Sequence, residues 1–352
     1  MTDETTGGAL SRVCIYGAGA IGGWIGAGLA GTSCRVSMVA RGATLQALQA
    51  HGLRLETTVR AEPVEAVAGT STNSLRTEIR SVPVQASSDS AELGVQDLVV
   101  IAVKAPALLE VARHIGPLIG PETLVLTAMN GVPWWFLQGF GGAYAGTRLQ
   151  AVDATGEIAR AIPARHVVGC VVHASCALHG PGFVHHRFGN TLIVGEPSGA
   201  VTPRVQQLAA LLTRAGIDAV IAEQIQKDTW YKLWGNMTVN PISLLTGATT
   251  DLIMGDDLVR NFISSIMLEA REIGARIGVP IAERPEDRHA VTMKLGAFKT
   301  SMLQDVEAGR AVELDALVTV VKELGQVTGV ATPYTDALLG LARLRARGLG
   351  LY

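Results

Sequence analysis

Apolar residues follow two rhythms along this chain. Up to about residue 222 they come in short, nearly unbroken runs at Arg12–Tyr16, Arg35–Ala40, Leu98–Val103 and Thr123–Ala128. Runs of this length and β-branched content read as strands covered on both faces, as in a parallel sheet flanked by helices. Thr44–Gln49 and Ala107–Ile115 read as the covering helices. Strand alternating with helix from the start predicts an α/β fold with a Rossmann-like doubly wound sheet. His166–Val172 and Thr191–Gly195 add strands, and Arg204–Ala215 adds a helix. From about Glu223 the spacing turns helical, through Trp230–Val239, Val259–Ile277, Thr292–Ala308 and Ala311–Thr328. The expected division is therefore a dinucleotide-binding domain over 11–222 and an all-helical C-terminal domain over 223–350. Between Glu56 and Asp89 the pattern lapses into polar and small residues centred on 68–74, which reads as a surface hairpin or inserted loop.

Composition narrows the function. With 352 residues, 48% hydrophobic and 17% charged, the chain is neither disordered nor a coiled coil, and it can bury an enzyme-sized core. Its 29 basic and 31 acidic side chains give no electrostatic reason to expect nucleic acid or an anionic membrane as partner. The uncharged run Val13–Cys34 has the length of a membrane span, but it is dense in glycine and follows acidic Asp3 and Glu4. Four cysteines, Cys14, Cys34, Cys170 and Cys176, are too few for a disulfide-built fold and suit a reducing compartment. A cytoplasmic protein is expected.

The glycines have a better explanation in the chemistry of phosphate binding. Gly17-Ala18-Gly19-Ala20-Ile21-Gly22 follows the first strand and opens a helix. In a GxGxxG turn the first glycine permits the bend, the second admits a pyrophosphate, and the third lets helix and strand pack closely. After the second strand stands Arg41, where an NAD site would place Asp or Glu; a guanidinium there suits a 2′-phosphate and favours NADPH. Lys104 and Asn130 end later strands, at the carboxyl edge that borders the ligand crevice.

In the second domain, Lys232, Asn236 and Asn240 stand at i, i+4 and i+8 on an otherwise apolar helix, sharing one face. A lysine and two amides among apolar neighbours suggest a lined pocket. Pro241 is expected to end or kink this helix. Ser301, Asp305 and Glu313 add hydroxyl and carboxylate groups on later helices.

Taken in order, the glycine turn, Val103-Lys104, Asn130-Gly131, Lys232-Leu233 with Asn236 and Asn240-Pro241, and Ser301-Met302-Leu303-Gln304-Asp305 followed by Glu313 resemble the ketopantoate reductase (2-dehydropantoate 2-reductase) family over nearly the whole chain. The resemblance implies NADPH-dependent reduction of ketopantoate to (R)-pantoate, for pantothenate and coenzyme A, in a cleft between a Rossmann domain and a helical domain. It implies Lys232 as general acid and Glu313 as its catalytic or substrate-binding companion. Asn130, Asn236, Asn240 and Ser301 would hold substrate or nicotinamide ribose, with Asp305 in the cleft and Lys104 at the cofactor end.

Two features depart from that pattern, the long Glu56–Asp89 segment and the bulky Pro133-Trp134-Trp135-Phe136 after Asn130. The aromatics are either core or pocket wall, so another 2-oxo acid or carbonyl substrate stays open as the alternative, as does, from a different class, a non-catalytic NADPH-binding regulator. Cys170, His173, Cys176 and His179 recur every third residue, but on a strand such positions point to opposite faces, so no metal site is expected. The apolar second-domain helices are compatible with a homodimer. The expected partner is a small-molecule 2-oxo acid.

Overall fold

The computed structural model describes residues 10–60 and 75–352. Ten strands form one mixed sheet: β1 (Arg12–Tyr16), β2 (Arg35–Val39), β3 (Leu53–Arg60), β4 (Leu75–Val82), β5 (Gln85–Ser87), β6 (Gln96–Ile101), β7 (Ile119–Thr127), β8 (Val167–Gly180), β9 (Phe183–Gly195) and β10 (Asp218–Ile221). Their order is β4-β3-β9-β8-β7-β6-β1-β2-β5, with β10 beside β9. The stretch from β8 to β5 is wholly parallel, as the apolar runs predict. Antiparallel pairs, β8 with β9 and β3 with β4, extend it.

The order reverses at β1, so β1 and β6 flank the switch point where such sheets bind ligands at their carboxyl ends. The sheet wraps around the helix Ala20–Ala30, which touches β1, β2, β3, β8 and β9. Glycines permit this: a Cβ on Gly23 would stand 2.5 Å from Val184, and one on Gly26 3.1 Å from Ile15. The uncharged run Val13–Cys34 is thus shared among β1, a turn, an 11-residue helix and the approach to β2. Among the described residues no helix is long and apolar enough to cross a membrane.

Strands β8 and β9 run well past the expected Val172 and begin well before Thr191. Their outer halves are only partly covered, so polar residues alternate there and the continuous apolar signal ends early. The Glu56–Asp89 segment does supply a hairpin, β3 with β4, whereas 68–74 lie outside the described residues.

A second core belongs to the helices. Ile225–Thr246 is its axis, packed against Asp257–Arg276, Ser301–Glu307 and Pro333–Gly348. Pro241 does not end this helix, which continues to Thr246 and stops at Gly247, φ +70°. Proline removes one N–H and crowds the preceding turn, but burial of Val239, Ile242 and Leu244 on both sides of it holds the helix together. The expected helix over Thr292–Ala308 is two, Pro285–Met293 and Ser301–Glu307. Thr300 starts the second, its Oγ1 accepting from the Leu303 N–H at 3.1 Å and lying 2.6 Å from Ser243 Oγ.

Candidate active site

The turn after β1 can be assigned glycine by glycine. Gly17 has φ +109°, and a Cβ there would lie 2.7 Å from Val103 Cγ1 and 2.8 Å from the Ala102 carbonyl oxygen. A Cβ on Gly22 would fall 2.1 Å from the Gly17 oxygen. The protein itself therefore demands glycine at both places. Gly19 is different: its backbone is extended (φ −81°, ψ −169°), and nothing beyond its immediate chain neighbours lies within 4 Å of where its Cβ would be. That open space caps the helix whose first turn begins at Ala20 and Ile21 and carries no acidic side chain. It is a cradle that a Cβ would fill, and it fits a pyrophosphate held by helix N–H groups.

Next to it a hollow of about 250 Å³ is lined by Tyr16, Gly17, Arg41, Thr44 and Glu110. Arg41 stands here as expected, directly after β2. The fold brings Glu110 to it from the helix Leu108–His114, with Oε1 2.6 Å from the guanidinium. The two side chains are about half exposed, so the pair is weak and exchangeable.

A larger cavity of about 300 Å³ lies between the carboxyl ends of β6 and β7 and the helix Ile225–Thr246. Lys232, Asn130, Asn236 and Glu313 all line it, although they come from distant parts of the chain. Lys232 Nζ donates to Asn130 Oδ1 at 2.9 Å and to the Val172 carbonyl at 2.8 Å. The ammonium thereby fixes the amide with its oxygen inward. Burial pushes this lysine down to about 8; the fields of Cys170 and Glu313 partly oppose the shift. Gly131, φ +82°, leaves no room for a Cβ, which would lie 2.4 Å from the Ala316 oxygen, and Val132 N donates to that oxygen at 2.9 Å. The loop carrying Asn130 is thus tied directly to the helical domain.

Glu313 is buried and accepts from the Ala105 N–H at 2.9 Å. Burial raises its carboxyl, and the Lys104 ammonium 3.8 Å away holds it back. Lys104 also pairs closely with Asp305, a buried carboxylate that Arg310 Nε reaches at 3.0 Å. One ammonium from the end of β6 therefore bridges two carboxylates of the helical domain.

The structure does not bring every expected residue to the cavity wall. Asn240 is buried one turn beyond Asn236, Ser301 is exposed at the start of its helix, and Asp305 and Lys104 meet beside the cavity instead of lining it. Trp134 and Trp135 are at once core and wall: both are buried, donate to Ile162 O and Thr127 Oγ1, and border the cavity. Sequence reasoning missed Glu110 and the Val172 carbonyl, because backbone oxygens carry no residue signature and Glu110 is an ordinary helix-surface residue by its spacing. It also missed Arg288, whose guanidinium lies 5.3 Å over the Tyr231 ring and, with Lys232, lowers the partly buried His173 beyond what burial does.

Comparison with known proteins agrees along the whole chain. The family described as Ketopantoate reductase PanE/ApbA matches residues 13–199, and its C-terminal counterpart matches residues 224–346. A 2-dehydropantoate 2-reductase of Mesorhizobium japonicum is 42% identical over 342 residues, 97% of this chain and 99% of its own. A crystal structure from Ralstonia solanacearum MolK2, described as a candidate ketopantoate reductase, superposes with a TM-score of 0.88 at 53% identity, covering 98% of this chain and all of that one. D-mandelate dehydrogenase, solved with NADH and anilino(oxo)acetate, shares the fold at TM-score 0.76 and 20% identity, over 97% of this chain and all of its own.

Proposed function

The chain belongs to the ketopantoate reductase family, and from that premise we propose that it reduces 2-dehydropantoate to pantoate with NADPH, as an oxidoreductase acting on a CH–OH centre. The observation that carries this reading is the desolvated Lys232 ammonium facing a cavity beside a glycine cradle.

NADPH supplies the hydride that adds to C2 of the 2-oxo acid. Gly17, Gly19, Ala20, Ile21 and Gly22 would hold its pyrophosphate, Arg41 the 2′-phosphate, and Asn130 the nicotinamide end. As negative charge develops on the carbonyl oxygen, the Lys232 ammonium stabilises and then protonates it. Its lowered pKa eases the transfer, and at about 8 it is still charged near neutrality. Asn236 offers amide donors to the substrate carboxylate within the same cavity. Lys104, through Asp305 and Glu313, positions the helical domain against the β6 edge. We place the division of labour at 222/223, cofactor before and acid after; Asn240 and Ser301 would support the substrate end from outside the cavity wall.

Turnover with purified protein tests the assignment: NADPH oxidation with ketopantoate should exceed that with NADH, and that with pyruvate, by at least about tenfold. Oxidation with another 2-oxo acid but none with ketopantoate would shift the substrate, and Trp134 and Trp135 on the wall are the residues that favour that second reading.

Two cofactor variants follow from the geometry. Gly19→Ala should fold with an unchanged melting temperature, since its Cβ meets nothing beyond its chain neighbours, yet lose NADPH affinity by roughly tenfold or more. Thermal melting with and without NADPH reads both quantities. Glu110→Gln frees Arg41 from an exposed pair worth at most about 1 kcal/mol, so KM for NADPH should fall roughly threefold, with KM for NADH unmoved.

A further inference from the structure

We infer that the sheet carries a divalent metal site made by Glu56, His179 and His185, remote in function from hydride transfer. Each offers one ligand atom, and the three atoms lie within 4.8 Å of one another. Their convergence follows from strand order and one bulge. Glu56 on β3 is the parallel partner of His185 on β9, and His185 faces Ala177 on β8, two residues before His179. Partners in register share one face, which brings Glu56 and His185 together, and His179 joins them from the irregularity in β8 between Leu178 and Gly180, where it has no partner on β9.

This revises the expectation of no metal site, which weighed Cys170, His173, Cys176 and His179 along a single strand. Those four do not gather, but the neighbouring strands bring other ligands to His179.

The geometry at Glu56 points to a shared cation. Its Oε2 is buried and has no hydrogen-bond partner, although His179 Nδ1 is only 2.8 Å away. The close approach is therefore not directed along the ring N–H. Two ligands on one metal, each about 2.1 Å from it, stand about 3.0 Å apart at an octahedral angle and about 3.4 Å at a tetrahedral one, with both lone pairs aimed at the ion and not at each other. The His179 and His185 rings lie 4.7 Å apart, and His179 is held edge-on by Phe183, itself covered by Arg54. Two imidazoles and one carboxylate suit Zn²⁺ or another first-row divalent ion, with water completing the shell; Ca²⁺ and Mg²⁺ prefer oxygen ligands. The site would clamp β3 to the β8–β9 hairpin.

Titration of the untagged protein with Zn²⁺, and with Co²⁺ as a coloured substitute, tests this. One equivalent should bind, with a visible Co²⁺ band and a higher melting temperature. His179→Ala, His185→Ala and Glu56→Gln should each weaken binding by roughly tenfold or more. His186→Ala should leave binding intact, because His186 pairs with Cys176 and stacks on Trp24 on the opposite face of the sheet. Circular dichroism and NADPH binding verify that each variant is folded. No binding by the wild type, or binding equal in all four variants, overturns the site and leaves Glu56 and His179 as a simple ion pair.

Discussion

Lys232→Ala is expected to lower kcat by roughly 10²–10⁴, the usual worth of a positioned general acid, while leaving NADPH affinity within a few-fold. The ammonium faces the 300 Å³ cavity, whereas the glycine cradle and Arg41 are built from other parts of the chain. Lys232→Arg should not rescue activity, since a guanidinium does not give up its proton near neutral pH. The wild-type pH profile carries the same prediction in another form. Reduction needs the charged form of a lysine lowered to about 8, so kcat/KM should fall tenfold per pH unit above about 8 and stay level below it. A descending limb near the ordinary lysine value of 10.5 would show that burial is not controlling this group. Steady-state kinetics across pH, with NADPH binding measured in parallel by fluorescence, distinguishes loss of the acid from loss of the cofactor.

Lys104→Met should give the second-largest effect, and its signature is pH-dependent stability. Removing the ammonium leaves buried Asp305 with Arg310 and leaves buried Glu313 without the nearer of its two opposing charges, Lys232 being the other. Breaking a buried pair by taking one partner typically costs 3–5 kcal/mol; exposure of Lys104 and retention of Arg310 reduce the expected loss to about 1–3 kcal/mol at neutral pH. The sign follows from Glu313. Its carboxyl is already raised by burial, and losing Lys104 raises it further. A carboxyl raised in the folded state favours folding when protonated, and that contribution disappears as pH rises through the folded-state value. The deficit of the variant should therefore be small in acid and grow towards neutrality. Denaturant midpoints across pH give the answer, and a deficit that does not vary with pH would mean that Glu313 does not depend on Lys104.

How much of this was legible in the sequence depends on what places each residue. Gly17, Gly19 and Gly22 declare themselves because strand, turn and helix are contiguous and each glycine has a local reason. Lys104 and Asn130 end apolar runs, and Lys232 and Asn236 share a helix face, so local periodicity locates them too. What couples these pieces is not local. Lys104 meets Asp305 across 201 residues and Ala105 meets Glu313 across 208, pairings that exist only once the two cores are docked. The same holds for Arg41 with Glu110, and for Glu56 with His185, where strand order and not spacing decides the neighbours. Pro241 did not stop its helix, for the converse reason: local chemistry disfavoured the helix there and tertiary packing prevailed.

The surroundings of Lys232 have a consequence for how protons are supplied. Its ammonium has three N–H bonds, and two are taken by Asn130 Oδ1 and the Val172 carbonyl. Only one remains to meet a substrate oxygen, so the acid presents itself from a single direction. Both contacting atoms, an amide oxygen and a backbone carbonyl, are acceptors, and neither returns a proton once it has been given away. Recharging comes from the cavity side, from water or from the Glu313 carboxyl on the same wall, so each catalytic cycle delivers one proton and then waits for the next.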